Sequence, residues 1–333
     1  MSVQLIAEIG QAHEGSLGIA HSYIDALAET GVDAVKFQTH IASAESSEFE
    51  PFRVKFSYED ATRYDYWRRM EFTPEQWAGL KQHCEDKGLE FISSPFSNAA
   101  VELLEKLGVK RYKIGSGEVN NHLMLEIIGQ TGKPVLLSSG MSSLQELDAV
   151  VALLRLYGNP MTLLQCTTAY PTIPQEWGLN VLSLLKERYQ LPIGFSDHSG
   201  DIYACLAASA LGAEVLEFHA VFDQRIFGPD ATASLTIEQI KKLVSGVRQV
   251  EQALLTPVDK STNEQFQPLK QIFEKSLAIN KDLFEGHLIT IADLEAKKPK
   301  GYGIPADQFR EVLGKPLKIS KKAWEFLVFE DFV

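Results

Sequence analysis

His198 and His219 are the pair around which chemistry can be built. Each follows a short apolar run, IGFSD before one and VLEF before the other, and about one strand-plus-helix unit separates them. On neighbouring parallel strands, both imidazoles would leave the sheet at the same end. Imidazole nitrogen suits manganese, cobalt, iron or zinc, and two protein ligands leave positions open for water and a substrate oxygen. His21, His83, His122 and His287 have no such partner and read as surface residues. Lys36 (in AVKFQ) and Lys113 (in RYKIGSG) also close apolar runs. A lysine buried at such a position is costly unless a negative charge meets it. That charge can be internal, from Glu8 or Glu118. With Ser94, Ser116 and Ser138 in the same pattern, it can equally be a phosphate and a carboxylate cradled by ammonium and hydroxyl donors. A Schiff-base aldolase would use the same lysines, and spacing leaves both uses open.

The elements that must position these residues alternate along the chain. Candidate strands cover 3–9, 34–40, 90–96, 111–117, 134–140, 161–168, 193–198 and 215–222, with amphipathic helical patterns at 19–29, 74–87, 99–107, 144–156 and 202–211. Thr73-Pro74-Glu75-Gln76 is a helix start, with a threonine cap, proline at the first position and glutamine at the third. Eight alternations predict parallel strands with helical crossovers closed into a (β/α)8 TIM barrel, which takes about 250 residues. The alternative, an open doubly wound sheet, lacks its usual GxGxxG fingerprint here. In such a barrel the site lies at the C-terminal strand ends, where the histidines, lysines and serines fall. Residues 41–72 form a long polar and aromatic insert that reads as an ordered lid. The barrel is expected over 1–258, a polar linker over 259–275, and a separate small unit over 276–333 that is too short for a thick core of its own.

Bulk properties exclude several classes. The net charge of −12 argues against broad nucleic-acid binding, which needs a basic surface. Cys84, Cys166 and Cys205 show no CxxC spacing and read as reduced thiols. The start MSVQLIAEIG lacks a signal-peptide pattern, and no apolar stretch approaches the roughly 20 residues that span a bilayer, so a cytoplasmic protein without membrane contact is expected.

Taken together the motifs resemble the sialic acid (N-acetylneuraminate or nonulosonic acid) synthase family. The matching segments are AEIGQAHEGS (7–16), DAVKFQTH (33–40), FISSPFS (91–97), YKIGSGEVNN (112–121), KPVLLSSGM (133–141), LLQCTTAYPT (163–172), GFSDHSGDIYACLAASALGA (194–213), GPDATASL (228–235) and AKKPKGYGI (296–304). The resemblance implies a metal-dependent condensation of phosphoenolpyruvate with the open-chain aldehyde of an N-acyl hexosamine, such as N-acetylmannosamine or a 2,4-diacetamido-6-deoxy hexose. It implies a barrel followed by an antifreeze-like (SAF) domain of the β-clip type, in a domain-swapped homodimer. It implies His198 and His219 as ligands of manganese, with magnesium or cobalt as substitutes. Lys36, Ser94, Lys113, Ser116, Ser138 and Thr168 match positions holding phosphoenolpyruvate, and Glu8, Tyr170 and Asp230 match positions facing the sugar. Glu8 or Glu118 would handle the proton of the attacking water. Lys298 stands where the family carries an arginine that reaches the partner's sugar, and a point charge does not replace a planar fork. Ala12, Phe218 and the Ala220-Val221 pair also depart from the family pattern, all at the sugar end.

Two further readings use the same residues. A barrel synthase of the Kdo-8-phosphate or DAHP type would need a second phosphate site, for which Arg63, Arg68 and Arg69 are the candidates. A non-catalytic assembly protein would keep the fold while losing the chemistry.

Overall fold

Alternation of side chains along a strand decides what a barrel holds. The computed structural model describes residues 2–54 and 58–333, so the part of the insert at 55–57 lies outside the described residues. Strands β1 (Gln4–Gly10), β2 (Ala34–Thr39), β3 (Glu90–Pro95), β4 (Tyr112–Ile114), β5 (Val135–Ser138), β6 (Met161–Cys166), β7 (Ile193–Asp197) and β8 (Val215–Val221) pair in parallel, each with the next. β1 also pairs with β8, with Glu8 opposite His219, so the sheet closes as a (β/α)8 barrel.

One interior layer is apolar: Ile6, Ala34, Ile92, Leu136, Leu164 and Val215 pack together. Two residues further along each strand, on the same face, stand Glu8, Lys36, Ser94, Ser138, Cys166 and Glu217, all buried. The barrel is thus plugged with hydrocarbon below and polar above, towards its C-terminal mouth. Outside, the helical crossovers cover the sheet with Tyr23, Leu27, Trp77, Leu104, Leu125 and Leu154. Their starts are capped as the sequence predicts at Thr73, and also at Ser143 and Thr236, each by a reciprocal capping box.

Some bounds differ from the sequence reading. The strand expected over 111–117 ends at Ile114, because Gly115 leads into a 3-10 turn, Ser116–Glu118. The insert carries two helices, Ala42–Glu45 and Arg63–Met70, with Tyr66, Trp67 and Met70 buried. The chain divides into Met1–Thr256 and Pro257–Val333. In the second unit a helix, Gln267–Phe273, occupies part of the stretch expected as linker. Antiparallel strands Ser276–Ile279 and Leu294–Lys297 then pack on a core that includes Leu277, Ile279, Ile289, Ile304 and Leu327. Among the described residues no helix is long and apolar enough to cross a membrane.

Gly194 is a tight point of the barrel wall. A Cβ there would meet the Leu164 side chain and lie 2.6 Å from the Val215 carbonyl oxygen. Gly194→Ala is expected to cost about 1–3 kcal/mol, read as a lower urea midpoint; an unchanged midpoint would show that the wall yields freely.

Candidate active site

Two carboxylates and two ammonium groups meet inside the mouth of the barrel. Lys36 Nζ lies 2.9 Å from Glu8 Oε1 and 3.3 Å from Glu217 Oε1, and Lys113 Nζ lies 2.9 Å from the same Glu217 oxygen. All four side chains are almost completely buried. Ser196 Oγ donates to Glu217 at 3.2 Å, and Gln38 Nε2 donates to Glu8 at 2.7 Å. Burial alone would push both carboxyls up, but the lysines beside them outweigh it and hold Glu8 and Glu217 below the ordinary carboxylate range. Burial likewise opposes the charge on Lys36, and Glu217 and Glu8 overcome it and raise its ammonium above the usual value. A neutral Schiff-base nucleophile would need the opposite shift. Lys113 takes its counter-ion from Glu217, where the sequence reading offered Glu8 or Glu118.

The histidines stand beside this network. Their ring centroids are 5.2 Å apart. His198 Nδ1 lies 2.9 Å from the Thr167 carbonyl, an acceptor only, so this nitrogen carries the proton and Nε2 is left for a ligand. His219 Nε2 faces Glu8 Oε2 at 3.3 Å. Burial disfavours the charged form of both rings. In His219 it prevails and lowers the value, while in His198 the neighbouring Cys166 sulfur and the Thr167 carbonyl outweigh it and lift the ring to about 9. A divalent cation at Nε2 would displace that proton. Among the described residues no group of three or more His, Cys, Asp or Glu side chains is arranged to hold an ion. Substrate oxygen and water would therefore have to complete a two-nitrogen set.

A cavity of about 410 Å3 opens above these groups. Ser94, Ser116, Ser138, Thr168, Tyr170, Asp230 and Glu118 line it with the two lysines, the two histidines and Glu8. Ser94 Oγ lies 3.4 Å from Lys36 Nζ, and the buried Ser138 Oγ has no hydrogen-bond partner among the described residues. A Cβ on Gly140 would fall 2.5 Å from Ser116 Oγ and 2.6 Å from Thr168 Oγ1, so glycine lets these hydroxyls converge. Glu118 is half-buried and accepts from Asn121 at 2.8 Å; burial raises its carboxyl above the ordinary value. Lys298 belongs to the second unit, where its ammonium lies 5.0 Å from the centre of the Phe273 ring.

The lid contributes groups that sequence reasoning passed over. His40 is sandwiched between Trp67 of the lid and Phe96, and its nitrogens face Glu45 at 2.7 Å and Gln38 at 3.2 Å. Lid and Glu8 are therefore joined through His40 and Gln38. Arg53 pairs with Asp230 at 2.6 Å and stacks over Tyr170. The three candidate arginines do not converge on a phosphate site: Arg63 pairs with Glu50, Arg69 with Glu14 and Asp60, and Arg68 lines a different groove. Ser196 was findable, because it lies two residues before a histidine of the site. No local signal marks Arg53.

The model of the NeuB family matches residues 23–259. The chain belongs to the NeuB family. It is 34% identical over 317 residues to N,N'-diacetyllegionaminic acid synthase of Campylobacter jejuni, covering 93% of this chain and 94% of that protein. It is also 34% identical to human N-acetylneuraminate-9-phosphate synthase, over 95% of this chain and 89% of that one. The solved N-acetylneuraminic acid synthetase of Leptospira borgpetersenii, in complex with citrate, superposes with a TM-score of 0.72 at 29% identity, covering 81% of this chain and 90% of that one. These three relatives are synthases or synthetases by name, and the solved one shares the fold.

Glu217 is the shared counter-ion of both lysines. Glu217→Leu is expected to destabilise the NeuB-family barrel by about 3–5 kcal/mol, since it leaves two buried ammonium groups with one carboxylate. Urea unfolding at neutral pH reads this directly, and a midpoint equal to wild type would remove the network from the account of stability.

Proposed function

We propose that this chain condenses phosphoenolpyruvate with the open-chain aldehyde of an N-acyl hexosamine, giving a nine-carbon sialic-acid-type sugar acid and phosphate. The observation that carries this reading is one cavity in which two lysines and an unpartnered serine hydroxyl lie beside two imidazoles. The lysines, Ser94, Ser116, Ser138 and Thr168 would hold the phosphate and carboxylate of phosphoenolpyruvate. Tyr170, Asp230 and the lid would face the amino sugar. His198 Nε2 and His219 would hold a divalent ion, manganese by expectation, which when bound supplies Lewis acidity at the aldehyde oxygen.

In the first step the C2=C3 π pair of phosphoenolpyruvate bonds C3 to the aldehyde carbon, the carbonyl π pair moves to the aldehyde oxygen, and that oxygen takes a proton from the Glu118 carboxyl to become a hydroxyl. The positive charge left at C2 is met by Glu8, whose Oε1 is fixed by Lys36 and Gln38. Water then adds at C2 and gives one proton back to the Glu118 carboxylate; the C2 hydroxyl becomes the keto oxygen, its remaining proton leaving with phosphate as the bond from C2 to the phosphate oxygen breaks. Glu118 suits the proton transfer, because it keeps a single side-chain partner and burial favours its protonated form. Two environments thus divide the roles that sequence left open between Glu8 and Glu118.

The second unit is read as the antifreeze-like domain of a domain-swapped homodimer, with Lys298 at the partner's sugar. Light scattering of the intact chain is expected at twice the 37.1 kDa chain mass; a monomer would overturn the swap.

Phosphate release from phosphoenolpyruvate, measured with manganese and a panel of N-acyl hexosamines, tests the reaction. Release should require both acceptor and metal, and should fall more than about 100-fold in His198→Ala and His219→Ala while the fold persists. Full activity in EDTA with borohydride trapping of Lys36 or Lys113 would turn the reading to an aldolase. No release with any acceptor would leave the non-catalytic one.

A further inference from the structure

Arg53 reaches the cavity from the lid and is held there on two sides. Its guanidinium carbon lies 4.1 Å from the centre of the Tyr170 ring, and Nη2 donates to Asp230 Oδ1 at 2.6 Å and to the Pro229 carbonyl at 3.3 Å. Stacking fixes the plane of the fork and the carboxylate fixes its rotation. Nε and Nη1 have no acceptor among the described residues, and the side chain keeps 39% of its exposure. The Tyr170 ring also lies against His198, the two centroids 4.2 Å apart. Tyr170 thus touches both the fork and the imidazole beside which the aldehyde would react, and all three line one cavity.

The charge around this fork selects what it can take. At the rim, Glu45, Glu50, Glu118 and Asp230 face Arg53 and Arg63, and both guanidiniums are already paired, with Asp230 and Glu50. A phosphate dianion would enter a rim that already carries more carboxylates than cations. A neutral carbonyl oxygen would take the free N–H donors without adding charge.

We propose that Arg53 is the specificity-determining residue for the acceptor, reading the acyl carbonyl beside the aldehyde and thereby favouring an uncharged N-acyl amino sugar over a phosphorylated one. This rests on the functional reading above. The test compares wild type with Arg53→Lys, using an N-acyl hexosamine, its 6-phosphate and the parent hexose that has hydroxyl in place of the acylamino group. Each is followed by phosphate release or, where turnover is too slow, by competitive inhibition. Loss of a hydrogen bond from a charged donor should raise the KM for the N-acyl acceptor about 10–100-fold in the variant. The KM for phosphoenolpyruvate and the constant for the parent hexose should stay within about twofold. Equal losses for the N-acyl sugar and the hexose would make Arg53 merely structural and overturn the inference. So would a wild-type preference for the 6-phosphate that Arg53→Lys abolishes. Absence of release from wild type with every acceptor would instead overturn the functional reading, and this inference with it.

Discussion

The molecule depends on four charges sealed inside a hydrocarbon-plugged barrel. Glu8, Lys36, Lys113 and Glu217 cancel in pairs, and each pair lies within ion-pair distance. Charges removed from water are tolerated only when geometry and hydrogen bonding repay their desolvation. Ser196 and Gln38 supply part of that repayment. The consequence reaches beyond stability. Both lysines line the cavity while their charge is met from within the barrel by Glu8 and Glu217. Glu217 keeps a second buried oxygen with no partner, which shows how much unspent polarity the network still contains.

Above the network the cavity changes character. Its floor is balanced between two acids and two bases, whereas its rim is rich in carboxylates and borrows its cations from the insert. That insert is tied down by aromatic stacking on His40 and by the Arg69 bonds to Glu14 and Asp60. Burial raises the Glu14 carboxyl to about 7 despite Arg69, so this tether is built on a carboxyl whose charge is itself costly. Floor and rim therefore differ in charge, and an excess of carboxylates at the rim suits neutral, hydroxyl-rich groups better than anions. The division matches a reaction that joins an anionic donor to an uncharged acceptor.

Much of this was legible in the residues. Alternation of apolar runs with amphipathic stretches, punctuated by glycines and caps, carries the barrel, because periods of 2 and 3.6 are local properties of the chain. The same period places His198, His219, Lys36 and Lys113 at strand ends, and the matching of whole segments places them in a family. The insert read as an ordered lid does hold two helices, since its aromatic side chains have a surface to bury against. Strand lengths were less legible: β4 stops three residues early, where the chain turns into the 3-10 segment Ser116–Glu118.

Pairing was not legible at all. Local pattern says which face a side chain takes, but closure of the sheet decides which remote side chain it meets there. Lys113 meets Glu217 rather than Glu118 because β4 and β8 face each other across the barrel interior, a relation no window of sequence contains. Arg53 reaches Asp230 across 177 positions of chain, and only the folding of the insert over the mouth brings the two together. The sequence alone determined the barrel, its polar mouth and the chemical types gathered there. The tertiary structure alone decided which charges neutralise one another and which donors are left for a substrate, because those depend on distances in space that a linear order does not encode.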